Sequence, residues 1–315
     1  MNDEAQLPTE TNQRGAFVRQ RYIFRDRFSA DGSSGFPAAA GRYHLYVSYA
    51  CPWANRALIV RRLLGLESVI TMSVVDPIRD ERGWAFREGD GHGSDPVNGF
   101  HFLSEAYLRT DPTYDRRVTV PCIWDRETER LVTNNFPDMT IDFETQFTAF
   151  HRPDAPDLYP DSLRQEIDAI NQMIYTDINN GVYKAGFASS QAAYEDAVTA
   201  LFQRLDWLEE RLSQQRYLVG QQLTEADIRL FPTLVRFDAV YYVHFKCNLR
   251  RLVDYPNLWA YARDLYQRDG FGNTVNFDHI KRHYYMTHEK LNPQRIVPLG
   301  PIVDWNAPHK RGDLS

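Results

Sequence analysis

"RYHLYVSYACPWANRALIVRRLLGL" (residues 42–66) decides how this chain is read. Its first part, RYHLYVSY at 42–49, alternates and is rich in β-forming residues, which predicts a strand. Beyond Trp53 the apolar residues Ala57, Leu58, Val60, Leu63 and Leu64 recur at helical spacing, and Gly65 is a stop signal. Cys51 therefore falls where a strand meets its helix. A sulfur there lies near the first backbone N–H groups of the helix, which together with the helix dipole stabilise an anion and lower a thiol pKa. Pro52 suits the first turn, where its missing N–H is not needed. An isolated cysteine is commonly just a small core residue, but the junction and the Cys-Pro-Trp context favour a nucleophile. A dithiol C-x-x-C pair would need a second cysteine at 54, which is Ala54. The chemistry is then monothiol, and a mixed disulfide on Cys51 must be released by an outside small-molecule thiol.

Working outward, SVITMSVVD (68–76) predicts a second strand and completes a strand–helix–strand unit. Residues 79–117 form a long polar insertion rich in Gly and Asp, and a loop that long is usually functional or disordered. TVPCIWD (119–125) and ERLVT (129–133) predict a hairpin across "RET". The Val120–Pro121 step opening that strand is read as a cis peptide, as in thioredoxin-like folds. It would leave the Val120 N–H and C=O to pair with an extended, peptide-like ligand. Proline at a strand start also has a plain structural explanation. Cys122 is read as a strand residue, and a short helical stretch follows NNFPD.

HRPDAPDLYPDS (151–162) is rich in Pro and Asp and reads as a linker. Four helix candidates follow: LRQEIDAINQMIYTDINNGVY, QAAYEDAVTALFQRLDWLEERLSQ, TEADIRLFPTLVRFDAVYYVHF and PNLWAYARDLYQR. TEAD (224–227) is a capping box, with Thr224 as cap and Asp227 reaching back. The expected organisation is an arm at 1–40, an α/β domain at 41–150, a linker at 151–162, an all-α domain at 163–291 and a tail at 292–315.

Composition sets the outer limits. Of 315 residues, 43% are hydrophobic and 25% charged, so a packed core is expected. A net charge of −6 argues against a general nucleic-acid binder. No apolar run is long enough to span a bilayer, and the first residues lack a signal-peptide core. Three cysteines are too few for a disulfide framework and have no zinc-site spacing, so a cytoplasmic protein with reduced thiols and no metal is expected.

These elements together resemble a cytosolic glutathione transferase, with a thioredoxin-like domain followed by a helical one. More closely, the chain resembles the Xi class, the glutathionyl-hydroquinone reductases. The matching blocks are YVSYACPWANRALIVRRLLGLE, SVVDPIRDERGWAF, TVPCIWD, NNGVYKAGFASSQAAYE, YLVGQQLTEADIRLFPTLVRFDAVYYVHFKCN and IKRHYYMTHEKLNPQRIVPLGP. They run from about residue 42 to 302. The resemblance implies that Cys51 attacks the sulfur of a glutathionyl-hydroquinone, that the hydroquinone leaves, and that a second glutathione releases the mixed disulfide. It implies that Trp84 packs on the glutathione, and that Tyr183 and Tyr284 hydrogen-bond the quinol oxygen. A phenol so placed can donate or hold the proton the leaving ring carbon must gain. For each tyrosine the plainer alternative is core packing with a satisfied hydroxyl. The family pattern also implies a homodimer.

One stretch departs from the resemblance. Where the family has NNESSEI, this chain has NNFPDMT (134–140), so Phe136 and Pro137 stand at the Glu-Ser pair that holds the γ-glutamyl carboxylate and amine. Neither side chain offers a hydrogen bond, and Pro137 lacks its N–H. Asp138 could cap the next helix or take the amine contact, but its charge disfavours a ligand carboxylate. The expectation is a thiol lacking the γ-glutamyl group, such as the sugar-based mycothiol, or weak use of glutathione. The competing readings are a general monothiol thioltransferase and a non-catalytic binder.

Overall fold

The computed structural model describes residues 10–314. The chain divides into two compact units. The first comprises Arg21–Pro156 with Asn276–Glu289. The second comprises Glu10–Gln20, Asp157–Val275 and the residues from Lys290 onward. The division after Pro156 falls within the stretch read as a linker. The arm divides between the units, and 276–289, assigned by sequence to the helical domain, belongs to the first.

In the first unit the elements are β1 (Tyr43–Val47), α1 (Pro52–Leu63), β2 (Thr71–Val74), α2 (Leu103–Thr110), β3 (Cys122–Asp125), β4 (Arg130–Thr133) and α3 (Phe136–Thr145). The sheet order is β2-β1-β3-β4, with β1 parallel to β2 and antiparallel to β3. All five residues of β1 are buried, as a central strand requires. Gly65 adopts φ +74, the left-handed conformation that ends α1 cheaply. The expected hairpin forms, β3 pairing antiparallel with β4. Arg42 holds Asp125 through two hydrogen bonds of 2.8 and 2.7 Å, tying the start of β1 to the end of β3.

The 79–117 insertion is more ordered than its composition predicts. Tyr46 on β1 donates its hydroxyl to Asp95, which also accepts the Val97 and Asn98 backbone N–H groups. The insertion also contains α2, where the composition predicts only loop. Glu105 accepts the N–H groups of His101 and Phe102 at the start of α2, and Tyr107 is wholly buried with its hydroxyl on the Thr119 carbonyl. Only Leu103, Ala106 and Tyr107 face inward from this helix, too short a stripe to stand out among the polar residues around it.

The second unit holds α4 (Arg164–Ile174), α5 (Gly181–Gly186), α6 (Gln191–Gln214), α7 (Glu225–Arg236) and α8 (Pro256–Tyr266), with π-helical turns at Tyr175–Asn179 and Phe237–Tyr241. The TEAD box forms. Asp227 accepts the Thr224 N–H at 2.9 Å, and it also takes the Leu218 N–H and the Tyr261 hydroxyl at 2.9 and 2.7 Å. It is thus a buried hub rather than a cap alone. In the tail, the buried Arg311 guanidinium donates to the carbonyls of Leu212, Gln215 and Arg216, closing the C-terminal end of α6. A ninth helix, α9 (Phe277–Thr287), belongs to the first unit and was not among the helix candidates.

Candidate active site

Cys51 is the N-cap residue of α1, with extended backbone at φ −76 and ψ 120, and Pro52 opens the helix. Its N–H donates to the Ser48 carbonyl and its own carbonyl takes the first helical bond, from Asn55. The β1–β3 register explains what lies opposite. Tyr46 faces Cys122, so in an antiparallel pair the chain after Tyr46 runs toward the residues before Cys122. Just beyond the ladder the Cys51 thiol donates to the Val120 carbonyl at 3.2 Å. The Val120–Pro121 bond is cis, as the sequence suggested. The carbonyl differs from expectation: it was read as open for a ligand, and the thiol occupies it.

The other two thiols are placed quite differently. Cys122 and Cys247 are fully buried, and burial pushes both thiols well above the ordinary cysteine range. None of the three cysteines is joined in a disulfide among the described residues. Cys51 alone keeps some exposure, at 9%.

Trp84 lies in the insertion and is buried. Its ring stacks on His283 of α9, with centroids 5.0 Å apart and planes at 16°, and the Arg79 guanidinium sits 5.1 Å from its centroid. Tyr284 follows His283 in the chain and is also buried, edge-on to His283 and to His288. The helix is fixed by two histidines four residues apart. The His283 Nδ1 lies 2.7 Å from the Pro77 carbonyl, and the His279 Nε2 lies 2.7 Å from the Asp90 carbonyl. Burial lowers the His279 pKa, so a neutral ring donating from Nε2 fits that contact. Gly91, at φ +74, holds a conformation that strains any other residue, and a Cβ there would lie a tight 3.2 Å from His279 Nε2. Trp84 and Tyr284 are thus held in the same unit as Cys51 by a histidine pair that the sequence reading missed. The signal was present as the i, i+4 spacing in HIKRH (279–283).

The departure at NNFPD is structural as well as chemical. Phe136 opens α3 and is buried, with its ring stacked on Trp53 of the Cys-Pro-Trp segment at 4.4 Å and 19°. Tyr22 meets Phe136 edge-on at 5.3 Å. The Arg56 guanidinium lies over both rings, 4.8 Å from Trp53 and 5.4 Å from Phe136. Pro137 follows in the first turn of α3. Asp138 accepts from the Asn135 amide at 2.6 Å and lies 3.5 Å from Arg27, whose main partner is Asp142. Asp138 is therefore turned toward the protein's own donors.

Tyr183 lies on α5 in the other unit, half-buried in a ring cluster with Phe17, Phe187, Tyr241 and Phe245, and the Arg19 guanidinium is 4.9 Å from its centroid. Among the described residues no group of three or more His, Cys, Asp or Glu could hold a metal, and no helix is long and apolar enough to cross a membrane.

A small mixed sheet with a cysteine capping its first helix, accompanied by an all-helical unit, defines the glutathione transferase fold. Residues 191–264 match the family described as "Glutathione S-transferase, C-terminal domain". The chain is 49% identical to glutathionyl-hydroquinone reductase YqjG of Escherichia coli over 304 residues, covering 94% of this chain and 92% of that protein. The glutathione-bound structure of YqjG superposes with a TM-score of 0.89, covering 92% of this chain and 96% of that one. A glutathione transferase from Gordonia bronchialis is 53% identical, with a TM-score of 0.89 and coverage of 92% and 90%. The Xi transferase of Phanerochaete chrysosporium is 50% identical, with a TM-score of 0.90 and coverage of 93% and 95%. The chain belongs to the Xi-class glutathione transferases, the glutathionyl-hydroquinone reductase family.

Proposed function

We propose that this protein reduces thiol conjugates of hydroquinones, with Cys51 as nucleophile and a low-molecular-weight thiol as reductant. The observation that carries the reading is the placement of Cys51, the one partly exposed thiol, at a helix N-terminus and against the Val120 carbonyl. The Cys51 thiolate attacks the conjugate sulfur, forming an S–S bond as the sulfur–ring bond breaks. That electron pair stays on the ring carbon, which takes a proton, and free hydroquinone departs. A second thiol, as thiolate, attacks the mixed disulfide, leaving a low-molecular-weight disulfide and the Cys51 thiolate. Tyr284 is the proposed proton donor to the ring carbon or the partner of the quinol oxygen. Tyr183 is carried as a second such phenol on the resemblance alone. Trp84 is proposed to pack on the thiol, and the backbone of Val120 and Pro121 to align its cysteinyl segment. The proposed assembly is a homodimer.

The names of the relatives support glutathione as the thiol. A second reading, a thiol without the γ-glutamyl group such as mycothiol, is favoured by one observation. Phe136 and Pro137 offer no side-chain partner to a ligand's amine and carboxylate, and Asp138 is engaged by Asn135 and Arg27. A charged ligand end left under-paired there is costly if desolvated.

Steady-state reduction of glutathionyl- and mycothiol-conjugated hydroquinones, each with its own thiol, tests both readings. On the second reading the mycothiol pair gives the lower KM. Saturable turnover at low glutathione concentration overturns that reading and leaves the reductase intact. Absence of turnover with either conjugate overturns the reductase and favours the binder.

A further inference from the structure

The contact between Cys51 and Val120 opposes the chemistry proposed for it. A thiol that donates to a carbonyl is held in its neutral form, because ionising it removes the donor and leaves a thiolate facing the negative end of a C=O dipole. The helix N-terminus pulls the other way. The same carbonyl is one of the two backbone groups through which an extended cysteinyl ligand would pair with Val120, so a ligand N–H arriving there competes with the thiol for that oxygen.

We infer that the Val120 carbonyl is a shared acceptor. The Cys51 thiol holds it in the free protein, the amide N–H of the incoming cysteinyl thiol displaces it, and co-substrate binding thereby promotes ionisation of Cys51. This rests on the reading above that the thiol pairs with the Val120 backbone. The displaced sulfur loses its proton to solvent and is left beside the α1 N-terminus, which stabilises the anion. Ionisation is then coupled to the arrival of the sulfur that Cys51 attacks. In the free protein the lone thiol is kept less reactive toward alkylating agents and oxidants, which act on the thiolate.

Several other charged groups lie on the elements packed around Cys51. Arg56 lies on α1, and α3, packed against α1, carries Asp138, Asp142 and Glu144, with Arg27 as partner to the first two. Asp125 lies on β3, and Cys122 on the same strand is held neutral by burial. Tyr49, two residues before Cys51, contacts His279, whose pKa burial lowers, and burial raises that of Tyr49 itself. Ligand carboxylates oppose thiolate formation, so a fall in the ionisation midpoint on binding runs against simple charge repulsion.

The test is a thiolate absorbance titration at 240 nm on the full chain, with Cys51→Ser as the blank. It is run free, with saturating S-methylglutathione, and with an analogue of equal charge whose cysteinyl amide N–H is replaced by an ester oxygen. Saturation is read independently by tryptophan fluorescence. The expected result is a midpoint about one pH unit lower with the amide ligand, roughly a tenfold rise in thiolate below the midpoint, and little change with the ester. A midpoint that does not fall with the saturating amide ligand, or that falls equally with both, overturns the shared acceptor. If ligand saturates and turnover proceeds without the shift, only this inference falls. If the glutathione analogue never saturates, the same titration with S-methylmycothiol, which also carries a cysteinyl amide N–H, decides: no fall in midpoint at saturation, or no binding of either ligand, overturns the inference.

Discussion

His283 lies flat against Trp84, 5.0 Å between centroids, while its Nδ1 reaches the Pro77 carbonyl at 2.7 Å. One side chain on α9 thus fixes both the ring proposed to pack on the thiol and the backbone before it. His283→Ala is expected to cost about 1–2 kcal/mol of stability from the lost stacking and hydrogen bond, measured by urea unfolding. It should also raise KM for the thiol more than it lowers kcat, because it loosens a binding surface and not a reacting group. A kcat loss with unchanged KM would count against Trp84 as the packing surface.

Thiol labelling should single out one residue. Iodoacetamide under native conditions is expected to add a single adduct, on Cys51, because Cys122 and Cys247 are fully buried and their thiols are pushed up by burial. Unfolding should release the other two. Mass spectrometry after proteolysis gives the sites, and native labelling of Cys122 would contradict this placement.

Tyr284 separates two reactions of the same nucleophile. Breaking a sulfur–ring bond needs a proton on carbon, whereas exchanging a mixed disulfide does not. Tyr284→Phe is therefore expected to slow hydroquinone release by on the order of a hundredfold, with little effect on reduction of a simple mixed disulfide. Equal losses on both substrates would point to a packing role for this buried ring.

Acid should destabilise the chain through His44. Its ring lies between the Thr71 and Ser73 hydroxyls, 2.7 and 2.8 Å away, and burial, aided by Arg126 and Arg61, lowers its pKa to about 3. An unfolded histidine titrates near 6.5. Between those values the unfolded chain binds the extra proton, so stability rises with pH across that window and is lost as pH falls through it. His44→Gln should flatten this slope, measured as the urea midpoint at pH 7 and pH 4.5. An unchanged slope would mean that other groups dominate, His244 among them, which burial lowers to about 4.

The parts of the molecule that could be read from sequence share a local cause. The strand-to-helix junction at Cys51, the stop at Gly65, the hairpin across Arg126–Thr128 and the TEAD box are each specified by residues a few positions apart. What escaped depends on partners far away in the chain. Helix α2 has a short apolar stripe stabilised by capping and by Tyr107 reaching Thr119. Helix α9 looks polar because its histidines are spent on two distant carbonyls, that of Pro77 just before the insertion and that of Asp90 within it. Asp138 was legible as a charge near the thiol segment, but its pairing with Asn135 and Arg27 was not. At Val120 sequence reasoning identified the backbone group and missed its occupant, because a thiol–carbonyl contact leaves no trace in composition or spacing.

The anchoring of Arg311 bears on how the protein can be handled. Three carbonyls at and just beyond the end of α6 depend on one side chain about a hundred residues further along the chain. Clipping the chain before that arginine would uncap the longest helix of the second unit, even though the neighbouring Leu299 and Ile302 are fully exposed and look dispensable. Proteolysis that removes Arg311 should show up as lost heat resistance.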